Sequence, residues 1–338
     1  MVRPSEDSKT QSIARHHLER ARVERTPNHN PTSRSRFRPA DCDTVNDQAK
    51  EIPMSTSEST IGTPIQGAVA FVTGGNRGFG RALVDELLDR GAAKVYVTSR
   101  SPQCRHNDRI VSLVVDVNDD LSVAAAAEAA PDTSIVVNNA GVALGTPLFD
   151  APLDAIRAEL ETNLFGMIRV ARAFAPILGR YSTSSLVNVL SVASWLALGD
   201  GYAVSKAAAW SATNSMRTHL LGQGTVVTAL HVGYMDTDLT AGFDVPKVDP
   251  RDVARQTADA IASGAFELLA DDTTRRVKSE LSKDVVAMYP QLSSVNGNAS
   301  RQGLPRGAWR DYRPTTAHRV GVHPEFHVLS YPGRGIID

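Results

Sequence analysis

Between residues 68 and 270, short apolar runs alternate with segments of helical period, and this alternation constrains the fold more than any single motif. Residues 68–72, 94–98, 110–115, 134–137, 185–190 and 225–230 read as strands, and 266–270 as a seventh. Helical spacing falls between them. Leu83, Val84, Leu87 and Leu88 share a face in 81–90, and Gly91 follows as a stop. An alanine-rich helix at 124–130 ends at Pro131. Longer helices are expected at 153–178, with a break at Pro176, and at 202–221. Another covers 249–263, with Asp249 as the cap and Pro250 at the first helical position. Near-continuous apolar strands linked through helices predict a doubly wound parallel α/β sheet of about seven strands, with helices on both faces.

The two ends read differently. Residues 1–53 lack hydrophobic periodicity and are rich in Arg, Ser, Asp, Glu, His and Pro. Such a stretch buries too little apolar surface to offset its ordering entropy, so residues 1–60 are expected to be a disordered extension. Its eight acids argue against a transit peptide, and translation starting at Met54 is an alternative. In 291–338, Gly and Pro interrupt every candidate element, which predicts an irregular, disordered tail. The expected cofactor-binding and catalytic domain is therefore 61–290.

Net charge is −1, which gives no electrostatic case for nucleic acid or an anionic membrane. No apolar run approaches the roughly 20 residues of a membrane helix. The two cysteines, Cys42 and Cys104, build neither a disulfide framework nor a metal cluster; a reducing, cytoplasmic setting and no metal are expected.

Ligands of doubly wound sheets sit beyond the carboxyl ends of the strands. Polar residues or glycines fall at six such ends: the run from Gly74 to Gly80, then Arg100, Asp116, Asn138, Ser191 and Gly233. In Thr73-Gly74-Gly75-Asn76-Arg77-Gly78-Phe79-Gly80, glycines let the backbone approach phosphate oxygens, and the following helix presents free N–H groups. The second strand end carries Arg100 and no acid, and Arg77 adds a cation within the glycine loop. An acid there would suit the ribose hydroxyl of NAD; these cations suit the 2′-phosphate of NADP.

Tyr202 and Lys206 stand four apart on one helix face. A free tyrosine has a pKa of about 10, and a nearby ammonium lowers it. Ser191, at a strand end, can hydrogen-bond a substrate oxygen, and Asn163 is a polar residue inside a long helix.

These motifs, with Asn138-Asn139-Ala140-Gly141 after the fourth strand, resemble the short-chain dehydrogenase/reductase family in its compact branch. The resemblance spans about residues 67–269 and implies a Rossmann-type domain. It implies that Asp116 and Val117 flank the adenine, and that Asn138, Ala140 and Gly141 support the sheet and line the cofactor. Thr73, Gly74, Asn76, Arg77, Gly78, Phe79 and Gly80 would hold the pyrophosphate, and Gly233, Met235 and Thr237 the nicotinamide. Asn163 would hold a relay water, Ser191 would orient the substrate and Tyr202 would be the acid/base. Lys206 would bind the nicotinamide ribose and depress the tyrosine pKa. A homodimer or homotetramer is implied as well. Two departures stand out. Val232 replaces the proline usual before Gly233, and the eleven positions from Ser191 to Tyr202 are fewer than usual. Either Gly199 and Gly201 let that loop close, or Tyr202 is displaced.

Trp195, Leu196, Leu198, Tyr234, Leu239, Phe243 and the segment 142–144 could line an apolar substrate pocket, or serve as core or subunit contacts. The leading reading is an NADP(H)-dependent oxidoreductase acting on a carbonyl/alcohol pair of a small or apolar substrate. The alternatives are an NADP-binding regulator without turnover, and a lyase or epimerase using the same tyrosine.

Overall fold

A computed structural model describes residues 62–101 and 107–292 and the backbone of 335–337. The expected N-terminal extension lies outside the described residues.

Seven parallel strands form one sheet: β1 Val69–Thr73, β2 Lys94–Ser99, β3 Ile110–Val114, β4 Ile135–Asn138, β6 Ser184–Val189, β7 Thr225–His231 and β8 Glu267–Leu269, in the order β3-β2-β1-β4-β6-β7-β8. The chain starts at the middle of the sheet, moves outward to β3, then crosses back to β4. This reversal opens a crevice at the carboxyl ends of β1 and β4. β5, Gly141–Ala143, leaves the sheet and pairs antiparallel with β9, Gly335–Ile337. The irregular tail expected after residue 291 thus contains a short strand.

Alternation along each strand divides the core. Val72, Val97, Val137, Val187 and Leu230 pack on one face. There they meet α1, Gly78–Asp89, and α6, Pro250–Ser263. Phe71, Tyr96, Val136, Leu186 and Val227 face the other way, toward α2, Asp120–Ala129, and α4, Met167–Leu178. α5, Gly201–Leu220, completes that layer through Leu220 and Met216. The Phe71 and Phe174 rings lie 4.3 Å apart at the centre.

Helix boundaries follow their caps. Asp119 accepts from the Leu121 N–H and starts α2 earlier than the alanine run suggests. Asp249 caps α6 with Pro250 at its start, as the sequence predicts. The expected break at Pro176 does not occur, because Pro176 sits in the last turn of α4 and forgoes only one N–H. The interruption lies earlier: α3, Leu153–Leu160, runs into a π-helical turn, Glu161–Gly166, and then into α4. Two helices not expected from the sequence follow β8: α7, Asp272–Glu280, and α8, Val285–Met288.

Phe174 is fully buried in this layer. Phe174→Ala is expected to lower unfolding stability by about 3–5 kcal/mol, measured by urea titration. The folded fraction should keep its cofactor affinity, because Phe174 lies in the core below the strand ends.

Candidate active site

The end of β1 is built as a cradle. Thr73 Oγ1 accepts from the N–H groups of Asn139 and Ala140, both at 2.9 Å. The Asn139 amide donates to the carbonyls of Thr73 and Gly74, both at 2.9 Å. Gly74 and Gly78 adopt left-handed φ values of 64° and 54°. A Cβ on Gly80 would lie 2.2 Å from the Gly74 carbonyl oxygen, so the first turn of α1, with Phe79 buried, seats directly on the strand end. Arg77 precedes α1 without a side-chain cap, and no acid stands in its first turn. Its N–H groups are thus available to an anion. The Asn76 amide donates to Ser99 Oγ at 2.6 Å, while its Oδ1 is buried without a protein partner among the described residues. An uncapped helix start, an orphaned acceptor and glycine backbone at close approach all fit a dinucleotide.

Beside the cradle, Gly74, Arg100, Asp116, Val117 and Ala140 line one cleft. Asp116 is held by its own turn, its Oδ1 accepting from the Asn118 N–H at 2.9 Å. Arg77 is not part of that lining. It makes an exposed ion pair with Asp238 at 3.4 Å. On the far side Thr237 approaches the glycine loop, for a Cβ on Gly78 would meet its Cγ2 at 3.4 Å. Met235 is buried, and its carbonyl accepts from the hydroxyls of Thr237 and Thr240. The Gly233 N–H donates to Asp271 Oδ2 at 2.6 Å. Asp271 also caps α7 in a reciprocal box with Thr274. This carboxylate fixes the loop in which Val232 stands in place of proline.

Asn163, Ser191, Tyr202 and Lys206 converge from three elements. Asn163 sits in the π turn, where its amide is fully used. It exchanges two hydrogen bonds with the Val142 backbone, both at 2.8 Å, and donates to Ser205 Oγ at 2.9 Å. A Cβ on Gly141 would meet Asn163 Oδ1 at 3.0 Å and Lys206 Nζ at 3.8 Å, which brings the fourth strand end to the same place. Asn138 faces inward, its amide donating to Asn188 Oδ1 at 2.9 Å. Lys206 is buried, donates to the Val189 carbonyl at 2.9 Å and lies 5.8 Å from the Tyr202 ring centre. The Ser191 side chain lies close enough to the Tyr202 phenol to lower its pKa. The shortened loop is closed by backbone hydrogen bonds from Gly201 to Thr146 and from Leu148 to Gly199, and it brings Tyr202 to the same place as Lys206.

Burial governs the electrostatics. It pushes the Tyr202 phenol up to about 12, against the pull of Ser191, and Asp200, Glu159 and Tyr234 push it further. It brings the Lys206 ammonium down to about 8. The polypeptide alone thus holds a protonated phenol, and the expected depression of its pKa by Lys206 is outweighed by burial.

His231 and Asp271 carry roles that the sequence did not single out. His231 Nδ1–H donates to the Ser191 carbonyl at 3.2 Å, and its ring stacks on Trp195 at 3.8 Å. Trp195 and Leu196 are core residues, packed with Val192 and Val277. Tyr234 and Phe243 pair at 5.4 Å, and Leu198, Tyr234 and Leu239 are only half-buried.

Comparison with known proteins agrees with this architecture. The family model for short chain dehydrogenases matches residues 68–247. A 1-deoxy-11-beta-hydroxypentalenate dehydrogenase of Streptomyces avermitilis is 33% identical over 230 residues, 62% of this chain and 83% of that protein. Its counterpart in Streptomyces exfoliatus is 30% identical over 242 residues, 62% of this chain and 86% of its own. Among solved structures, a short chain dehydrogenase from Burkholderia cenocepacia J2315 in complex with NADP superposes with a TM-score of 0.65. It is 33% identical and covers 68% of this chain and 99% of its own. Fold and relatives together define an NAD(P)-dependent oxidoreductase. The chain belongs to the short-chain dehydrogenase/reductase family. Among the described residues, no helix is long and apolar enough to cross a membrane.

The site has a built-in acid sensitivity. Burial lowers the His231 pKa from 6.5 to about 4, so the unfolded chain binds the extra proton first as pH falls. Stability is therefore lost between pH 6.5 and 4. In urea titrations, His231→Gln should show a shallower loss over that range than the wild-type protein.

Proposed function

We propose that the protein is an NADP(H)-dependent oxidoreductase that interconverts a carbonyl and an alcohol on a small or apolar substrate, with Tyr202 as acid/base. The convergence of Ser191, Tyr202 and Lys206 beside the glycine cradle carries this reading. When bound, the nicotinamide supplies or accepts the hydride. In reduction, Tyr202 donates its phenolic proton to the substrate oxygen; in oxidation it takes that proton back. Ser191 orients the oxygen by hydrogen bonding. Lys206 holds the nicotinamide ribose and stabilises the phenolate. Asn163 supports the relay by fixing β5 and Ser205.

Arg100, which follows β2 where the strand end itself carries no acid, lines the cleft and supports a 2′-phosphate and hence NADP(H). The NADP-bound relative agrees. The half-buried Leu198 and Leu239, and Tyr234 paired with Phe243, support an apolar substrate. The Streptomyces relatives, named for dehydrogenating a hydroxypentalenate, support the carbonyl/alcohol chemistry. A homo-oligomer in the cytoplasm completes the proposal.

Calorimetric titration of the full chain with NADPH and NADH tests it. The expected result is NADPH binding at least tenfold tighter than NADH, with the difference lost in Arg100→Glu. Equal affinities would remove the NADP(H) assignment. No binding of either would remove the enzyme reading with it.

A further inference from the structure

Behind the proposed acid/base lies a carboxylate to which no role has been given. Glu159, in the last turn of α3, is fully buried. A buried carboxylate is costly unless donors converge on it. Here they do. Its Oε1 accepts from the Leu144 N–H at 2.7 Å, and its Oε2 accepts from the Thr146 hydroxyl. Leu144 and Thr146, two residues of the segment after β5, are therefore fastened to one side chain with Gly145 between them.

That segment in turn holds the loop leading to Tyr202. The Gly201 N–H donates to the Thr146 carbonyl at 2.9 Å, and the Leu148 N–H donates to the Gly199 carbonyl at 3.0 Å. Pro147 and Asp200 thus oppose each other as a short antiparallel bridge. Asp200 then caps α5 by accepting from the Ala203 N–H at 2.9 Å. The approach is close: a Cβ on Gly201 would lie 2.4 Å from Glu159 Oε2 and 2.6 Å from Thr146 Oγ1. Glycine at 201 lets the first turn of α5 rest on the Glu159–Thr146 pair.

We infer that Glu159 is a positioning residue, whose buried carboxylate fastens residues 144–146 to the start of α5 and so sets the height of Tyr202 beside Ser191. The unusual shortness of the Ser191–Tyr202 loop makes this support necessary. Its first part is shaped by its own 3₁₀ turn, Val192–Ser194, and the part that leads into α5 is held by neighbours, through the bonds of Gly199 to Leu148 and of Gly201 to Thr146. The inference rests on the proposed function in one respect only, that Tyr202 acts on the substrate.

The test uses full-length Glu159→Ala, Glu159→Gln and Thr146→Val, with the Tyr202→Phe chain as reference. Hydrogen exchange read by mass spectrometry needs no substrate. In Glu159→Ala, exchange across residues 197–204 should accelerate at least tenfold, with β6 unchanged. Unchanged exchange there would overturn the inference. With whichever carbonyl compound the wild type reduces, Glu159→Ala should lose at least tenfold in kcat. Its NADPH Kd should stay within twofold. Glu159→Gln keeps an acceptor for Leu144 and a partner for Thr146, and should recover kcat to within threefold of wild type. Equal losses in the Ala and Gln variants, or a Kd that weakens in step with kcat, would overturn the inference. Should Glu159→Ala not fold, Thr146→Val carries the same two readouts from the other side of the pair. A wild type that reduces nothing, or a Tyr202→Phe chain as active as wild type, overturns the proposed function instead and leaves the exchange result to decide the role of Glu159.

Discussion

The parallel register of the central strands is the constraint on which the rest of this structure depends. Phe71 pairs with Val136, Val136 with Leu186, and Leu186 with Val227. That alignment sends these four residues to one core and Val72, Val137 and Val187, the next residues of three of the strands, to the other. A slip by one residue would invert both faces, so the hydrophobic pattern fixes the register strongly. The same alignment brings Thr73, Asn138 and the residues just beyond Val189 to one edge. The hydrogen bonds from Asn139 to Thr73 and Gly74, and from Asn138 to Asn188, join three adjacent strand ends at the crevice. The site is thus a consequence of how the sheet is aligned.

On this scaffold, polar groups are positioned by other buried polar groups. His231 holds the backbone of Ser191, Asp271 holds Gly233, Asn163 holds Val142, and Glu159 holds the segment from Leu144 to Thr146. Each of these supports is buried or nearly so, where an unpaired partner would be costly and a satisfied one is rigid. Reacting groups near Tyr202 need placement within fractions of an ångström, because about 1 Å of misplacement costs on the order of a hundredfold in rate. The half-buried aromatic and leucine side chains beyond them leave the substrate side less constrained.

Much of this was legible in the sequence, for physical reasons. The seven strands could be read because strands buried on both faces are continuously apolar. The glycine loop and the Tyr202/Lys206 pair could be read because their spacing has direct geometric consequences. Other features were not legible. Pro176 reads as a helix break, yet near a helix end it removes only one donor. The π turn has no side-chain period to betray it. Glu159 reads as one more acid on an amphipathic helix, since only the fold brings residues 144–146 over it. His231 is one residue of a strand end until Trp195 and Ser191 are placed beside it. α7 carries a cap signature, Asp271 and Thr274, but Val277 is its single apolar residue, so it has no hydrophobic period to read. Arg77 was expected at the phosphate, but an exposed opposite charge, Asp238, lies within its reach.

The account stands on Tyr202 as the group that exchanges a proton with substrate oxygen. The most direct test compares the wild-type chain with Tyr202→Phe, following NADPH absorbance against a panel of apolar ketones and aldehydes. The account predicts wild-type turnover that falls at least a thousandfold on loss of the one hydroxyl, with NADPH affinity within twofold. Turnover by Tyr202→Phe at the wild-type rate would contradict it.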